Sequence, residues 1–470
     1  MAANTAMGRL LRLPVLLALA GLVAACSTVK PWINEPLPPA DAPVAMQAGE
    51  PATEFSNRPS VLMVVTLSGG GARAAAFGYG VLSELQRIPV REDGAVVGSL
   101  LDEVDVISGV SGGSIIAAYY AAFGSEGLPN FERDFLRQSF QNSLITQTLK
   151  PANLYDLSSP WFGRSHMLAR RLDELYRGKT YGDLERRAGN PQLLITATDL
   201  SLGAGFEFTS EQFELICSDL STVPLSFAVA ASSAVPIVLS PLTLKNYAAA
   251  CPRARPAQGL VPRGQDDYRV RLYRSQVHSY LDAQARPFIH LVDGGLSDNL
   301  GVRRLLDRTL VNGSLRSTVR TLSAAPGSVR QLVLITVNSE RDPAERIDAS
   351  DKVPGVTQVV DALLFGAGAR ATLETQEFLT DLARQWKQEL RSGASGGSDA
   401  FAPDAQVYVI QVNLRDTPEW ADRQTLLQIP TAFSIAPTDV GRLIDAGRQV
   451  LRRSPEFQSL LRALNPLPGP

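Results

Sequence analysis

Along the chain, short and strongly apolar runs alternate with longer stretches of helical spacing. "SVLMVVTLS" (60–68) and "VDVISGV" (104–110) run directly into "GGGARAAAFGYGVLSEL" (69–85) and "SGGSIIAAYYAAF" (111–123). The first member of each pair is β-branched and apolar. The second is alanine-rich and long enough for three or more helical turns, so each pair reads as a strand feeding a helix. "PQLLITATDL" (191–200), "FIHLVDG" (288–294), "QLVLITVNS" (331–339) and "VYVIQVNL" (407–414) add further strand runs. This alternation predicts an α/β fold with a largely parallel central sheet and helices on both faces. In such sheets functional groups gather at the C-terminal ends of the strands. The segments that follow those ends are therefore where chemistry is sought.

Outside these runs the pattern changes. Arg9 and Arg12 precede "LPVLLALAGLVAA", a run shorter than the roughly 20 apolar residues a spanning helix needs. It ends in "VAAC" (Val23–Cys26), which resembles the bacterial lipobox. That resemblance implies a signal peptide over 1–25 and a lipid-anchored Cys26. The Ser27 that follows implies placement in the outer membrane of a bacterial envelope. Residues 26–59, rich in proline and alanine without periodicity, read as an extended tether. A catalytic domain is expected over 60–345, and a mostly helical C-terminal extension packed on the core over 346–470. Residues 252–275, "PRARPAQGLVPRGQDDYRVRLYRS", read as an arginine-rich solvated loop. An exported chain folds in an oxidising compartment, so Cys217 and Cys251 are expected to pair in a disulfide. The formal net charge of −2 gives no support to nucleic-acid binding.

Two glycine-rich turns carry candidate chemistry. Gly109-Val110-Ser111-Gly112-Gly113 fits G-x-S-x-G, the nucleophile elbow, in which a serine projects from a sharp strand-to-helix turn. The same pattern recurs at 393–397 around Ser395, but within a polar glycine- and serine-rich stretch with no strand before it. Only Ser111 has the strand and the helix. Even there a plain turn remains the alternative. The second turn, Gly69-Gly70-Gly71, follows the first strand and opens a helix, so its amides can form an oxyanion hole. Gly69-x-Gly71-x-x-Ala74 also fits a dinucleotide fingerprint, although no convincing acidic residue closes a second strand about 20 residues on. No Gly-Lys-Ser/Thr follows, which excludes a P-loop.

A serine nucleophile needs a base. His166, His278 and His290 are the only histidines in the chain, and none lies in a loop after residue 300, where a Ser–Asp–His order would put it. His290 falls inside a strand run and reads as a packed strand residue. Three positions on, Asp293 ends that run ahead of Gly294-Gly295. A partly buried aspartate there can take the serine proton and return it to the leaving alkoxide. A structural Asp-Gly-Gly turn is the alternative.

"GGGAR", "GVSGG", "AVAASSAVPIVLSPL" (228–242) and "DGG" at Asp293 occur in that order, with "RGKTYGDLERRAGNPQLLITATDL" (177–200) between the second and the third. Together they resemble the patatin-like phospholipase family over roughly residues 60–340. The resemblance implies a three-layer α/β/α sandwich and a Ser–Asp dyad that cleaves acyl esters of membrane glycerolipids through an acyl-enzyme, without metal or cofactor. It assigns Ser111 as nucleophile, Asp293 as proton acceptor and Gly69–Gly71 as oxyanion hole. Arg73 is implied as a nearby cation, and Gly109, Gly112, Gly113, Gly294 and Gly295 as supporting residues. Ala74 stands where the family's usual pattern has its last glycine. An esterase or acyltransferase on another acyl ester, and a catalytically silent lipid-binding lipoprotein, are the competing readings.

Overall fold

The computed structural model describes residues 27–38, 60–92, 95–185, 189–251, 268–320, 325–341, 350–355, 358–359, 362, 367–393 and 399–464. The signal segment 1–25, Cys26, the tether residues 39–59 and Ser395 lie outside them. In chain order the strands are β1 (Val61–Leu67), β2 (Pro89–Glu92), β3 (Ala95–Ser99), β4 (Val104–Val110), β5 (Gln192–Asp199), β6 (Ala204–Glu207), β7 (Leu242–Lys245), β8 (Phe288–Val292), β9 (Val329–Asn338) and β10 (Phe401–Asn413). The helices that matter for the site are α1 (Gly71–Arg87), α2 (Gly112–Gly127), α3 (Phe140–Thr148), α4 (Pro151–Leu157), α5 (Arg164–Tyr176), α6 (Leu225–Ser232), α7 (Tyr268–Leu281), α8 (Ala367–Arg391) and α9 (Pro437–Arg453).

Among the described residues one sheet runs β10-β9-β1-β4-β5-β8-β7, with β6 on β5. The five strands from β10 to β5 are parallel; β6, β7 and β8 pair antiparallel. Every residue of β1 is buried, as expected of a central strand covered on both faces. Its alternate residues serve two cores. Met63, Val65 and Leu67 pack with α1, α2 and α9, whereas Leu62 and Val64 pack with α8 through Leu379, Leu382 and Trp386. The result is a three-layer α/β/α sandwich with a mostly parallel sheet.

The C-terminal part is built into this sandwich. β10 is the sheet's edge strand on β9, in parallel register from Gln406↔Gln331 to Asn413↔Asn338. α9 crosses α1 at glycines: a Cβ on Gly80 would stand 2.2 Å from Ile444 O, and one on Gly447 2.4 Å from Phe77 O. Only backbone-to-backbone contact fits there.

Three regions depart from the sequence-based expectation. Residues 27–38, expected as the start of a free tether, lie against the domain. Asn34 donates to Ser218 Oγ (2.8 Å) and Lys245 O (2.9 Å), and the Trp32 ring meets Phe227 at 4.7 Å. Of the expected loop 252–275, residues 252–267 lie outside the described residues and 268–275 form the first half of helix α7, where Val270, Val277 and Tyr280 are buried, a helical stripe hidden among arginines. His290, expected as a packed strand residue, is exposed in β8 beside Thr243 Oγ1 at 2.9 Å. Cys217 and Cys251 are joined by a disulfide.

Candidate active site

β1 and β4 are parallel neighbours, with Leu67 opposite Gly109, so the two glycine-rich turns leave the sheet side by side. β9 lies on the other side of β1. The crevice above β1 is thus a point where strand order reverses, the usual place for a ligand in this architecture.

Ser111 stands between β4 and α2 with φ 48° and ψ −119°, a conformation that non-glycine residues avoid. Three contacts hold it there. Its N–H donates to Ser232 Oγ (2.8 Å), Ser232 Oγ donates to Thr196 O (2.6 Å), and Ser114 N–H donates to Ser111 O (3.0 Å). The flanking glycines are required by close approach. A Cβ on Gly112 would lie 2.0 Å from Gly71 O, and Gly113 and Gly109 abut Leu67 O and the Ser114 backbone in the same way.

Asp293 reaches the same point from the opposite direction. β8 runs antiparallel to β5, with Val292 opposite Thr198, so its C-terminal end descends toward Ser111. The Ser111 hydroxyl donates to Asp293 Oδ2 at 2.8 Å, and Gly295 N–H donates to Oδ1 at 2.8 Å. Gly294 leaves no room for a side chain, since a Cβ would stand 2.0 Å from Thr196 O. Burial pushes the Asp293 carboxyl up to about 6, against the lowering effect of the Gly295 N–H and the Ser111 hydroxyl. No arginine, lysine or histidine is bonded to it among the described residues.

The glycine turn differs in detail from what its sequence predicts. Gly69 N–H is already spent on Asn299 O at 3.1 Å, which removes it from the oxyanion donors. Gly70 and Gly71, at φ 138° and 61°, carry N–H groups with no partner among the described residues, as does Gly112. Ala72 N–H donates to Ala432 O (2.7 Å), so a segment more than 350 residues away caps this helix start where a pyrophosphate would sit. Arg73, 2 % exposed, fastens the same segment: Nη1 donates to Ile429 O (2.6 Å) and Nε to Ser339 O (2.9 Å). Burial, with Arg341 nearby, lowers its pKa to about 9.

Ser111, Asp293, Gly70, Arg73, Leu296 and Asn299 line one cavity, whose far wall includes Thr431 and Arg341. Sequence reasoning missed Asn299 and the 429–432 segment, since nothing local marks either. None of the three histidines lines the cavity. His166 instead accepts the Gly163 N–H at the start of α5, where burial lowers its pKa to about 4. No group of three or more His, Cys, Asp or Glu among the described residues is placed to hold a metal ion.

The sequence pattern of the family described as patatin-like phospholipase matches residues 65–306, just over half of the chain. No curated protein sequence matches it. Among solved structures it is similar to human GIVD cytosolic phospholipase A2, at 13 % identity and a TM-score of 0.41, over 86 % of this chain and 60 % of that one. It is also similar to VipD from Legionella pneumophila, at 11 % identity and a TM-score of 0.30, over 86 % of this chain and 67 % of that one. The chain thus spans about 60 % of the length of the human phospholipase structure. With both glycine turns, Ser111 and Asp293 inside the matched span or on its path, the chain belongs to the patatin-like phospholipase family, a family of lipid acyl hydrolases.

Proposed function

We propose that the protein hydrolyses acyl ester bonds of membrane glycerolipids through a Ser111–Asp293 dyad. The observation that carries this reading is the 2.8 Å hydrogen bond from the Ser111 hydroxyl to a buried carboxylate that no cation neutralises among the described residues. In the first step Ser111 Oγ bonds to the ester carbonyl carbon while its proton passes to Asp293 Oδ2. The carbonyl oxygen becomes an oxyanion, and the N–H groups of Gly70 and Gly112, beside the head of α1 and the start of α2, are the donors offered to it. Collapse breaks the ester C–O bond, and the proton on Asp293 goes to the departing alkoxide. Water then attacks the acyl-serine with Asp293 again taking the proton; the acyl C–Oγ bond breaks, Asp293 returns the proton to Ser111 Oγ, and a fatty acid is released.

A raised pKa suits this double duty. A carboxylate near 6 is ionised at neutral pH yet holds a proton far better than one near 4. Arg73 is given a positioning role, because its guanidinium spans Ser339 and Ile429 and so holds the glycine turn in shape. The lipobox resemblance at Cys26 supports a lipid-anchored envelope protein, so that enzyme and substrate share one membrane surface. An acyltransferase would use the same acyl-enzyme with another acceptor.

The test is fatty-acid release from mixed phospholipid vesicles, alongside covalent labelling by a fluorophosphonate. Wild type should release fatty acid and take the label at Ser111, and Ser111→Ala should do neither. Release that survives Ser111→Ala would overturn the assignment.

A further inference from the structure

The wall of the cavity formed by Val235 and Pro236 continues outward into Ile237 and Val238, which are 64 % and 62 % exposed. Ile237 also has φ 72°. A β-branched residue in the left-handed region costs roughly 1–3 kcal/mol, and such strain is normally offset by burial or function. Burial within this chain does not offset it. The conformation is held from the next element instead: Arg164 Nη2 donates to Ile237 O at 2.6 Å.

Arg164 opens α5, and the segment just before it is apolar and exposed as well. Trp161, Tyr155 and Leu154, together with Ile145 on α3 and Leu149 just past its end, are each about half exposed or more. Hydrogen bonds tie these pieces into one surface: Arg170 on α5 donates to Asn153 Oδ1 and Asp156 Oδ2, and Asn153 donates to Gln147 O. The charges on this surface are mostly cationic. Lys30, Lys150, Arg164 and Arg170 are exposed here against Asp156, which is paired with Arg170. Isolated exposed apolar residues need no explanation; seven on elements tied together by these hydrogen bonds, next to the cavity wall at Val235 and Pro236, do.

The docked segment 27–38, a strap along the domain, reaches the same surface. Ser27 N–H donates to Ser158 Oγ (3.0 Å), Ser159 Oγ donates to Val29 O (2.7 Å), and the Lys30 ammonium sits 5.4 Å over the Trp161 ring. Ser27 is the residue after Cys26, so an acyl anchor on that cysteine would enter the membrane beside this face.

We propose that the surface formed by Ile145, Leu149, Leu154, Tyr155, Trp161 and the Ile237–Val238 loop docks on an anionic phospholipid bilayer. The aromatic and aliphatic side chains enter the acyl boundary, and the lysines and arginines meet phosphates. Val235 and Pro236 then lead from the bilayer surface to Ser111, and the strap makes anchor and docking face a single unit. This rests on the hydrolase reading for its purpose, but not for its test.

The full-length chain is reconstituted in phosphatidylethanolamine–phosphatidylglycerol vesicles, with and without lipids brominated on the acyl chain. Tryptophan emission should fall in brominated vesicles, and Trp161→Phe should remove most of that fall. Equal quenching in both proteins, or none in either, would overturn the proposal; a dimer with Trp161 unquenched would assign the face to a second copy of the chain. In the second arm, Leu149→Glu with Leu154→Glu should reduce vesicle hydrolysis about tenfold or more and leave a soluble short-chain ester within twofold. Equal loss on both substrates, or no loss, would count against docking. Val96→Glu with Val97→Glu, on the exposed β2–β3 hairpin at the other end of the sheet, should change neither. If wild type hydrolyses neither substrate, the hydrolase reading fails while the quenching arm still decides the docking.

Discussion

Two buried aspartates terminate neighbouring strands of the same sheet, and they are provided for in opposite ways. Asp199 ends β5 and Asp293 follows β8; the two strands pair through Asp199↔Leu291. Asp199 is fully satisfied by charge: Arg286 Nη2 lies 2.5 Å from Oδ2, and the N–H groups of Ser201 and Leu202 donate to Oδ1. Asp293 receives only a hydroxyl and an amide, both neutral, and its pKa rises to about 6. The ion pair with Arg286 gives Asp199 a structural role. Withholding such a cation leaves the carboxylate basic and costs folding free energy, the trade expected where a group must exchange protons.

Exchanging each carboxyl for an amide should pull the two apart. Asp293→Asn should lower ester hydrolysis by about three orders of magnitude or more, because the serine loses its proton acceptor. The same change should raise stability. A folded-state pKa above the unfolded value of 3.8 means that the native state pays for ionisation as pH climbs from about 4 to about 6. Above that window the full cost stands, on the order of 3 kcal/mol for a shift of about two units, and a neutral amide avoids it. Urea denaturation at pH 7.5 should therefore show Asp293→Asn more stable than wild type, with the gap closing below pH 4. Asp199→Asn should go the other way, losing about 3 kcal/mol by stranding Arg286, which is only 14 % exposed. If both variants are destabilised alike, the contrast between the two sites is wrong.

Much of the fold and of the candidate site was legible in the sequence, whereas Asp199 and its arginine were not, and what stayed hidden has a physical reason. The strand runs, the elbow at Ser111 and the aspartate at 293 are local signals. Each is a short pattern whose chemistry depends on its immediate neighbours. The pairing of Ser111 with Asp293 spans 182 residues; the lack of a suitably placed histidine and the aspartate at a strand end suggested it, and the family resemblance assigned it. What stayed hidden is carried by backbone groups. The carbonyl of Asn299 on Gly69 N–H and that of Ala432 on Ala72 N–H are available from any residue type, so nothing in the sequence marks them. The strap at 27–38 escaped for a related reason. Its proline-rich composition has no periodicity, yet Asn34 and Trp32 dock it at single points.

The raised pKa of Asp293 also fixes a pH profile. The base must be ionised to accept the serine proton, so log(kcat/KM) should rise with unit slope to about pH 6 and level off above it, a tenfold fall per unit on the acid side. Bringing a cation to Asp293 should move that limb downward, toward the ordinary carboxylate range. A limb that stays near 7, where the neutral forms of histidines usually appear, would point to a different base.

The smallest effect tests the backbone rather than the charge. Ser111 is held at φ 48° by Ser232 and Ser114, and the strain should be stored in the native state. Ser111→Ala and Ser111→Gly both remove the hydroxyl and leave Asp293 with the same missing donor. They differ in backbone tolerance, since alanine keeps the Cβ that makes this region costly and glycine does not. Ser111→Gly should therefore exceed Ser111→Ala in stability by about 1 kcal/mol, reduced somewhat by the greater freedom of glycine in the unfolded chain. Asp199, with no such elbow beside it, offers the control: glycine and alanine at Leu200 should not show a glycine advantage. Equal stabilities for the two Ser111 variants would mean that the elbow is relaxed, and that the cost of the site lies wholly in the uncompensated carboxylate.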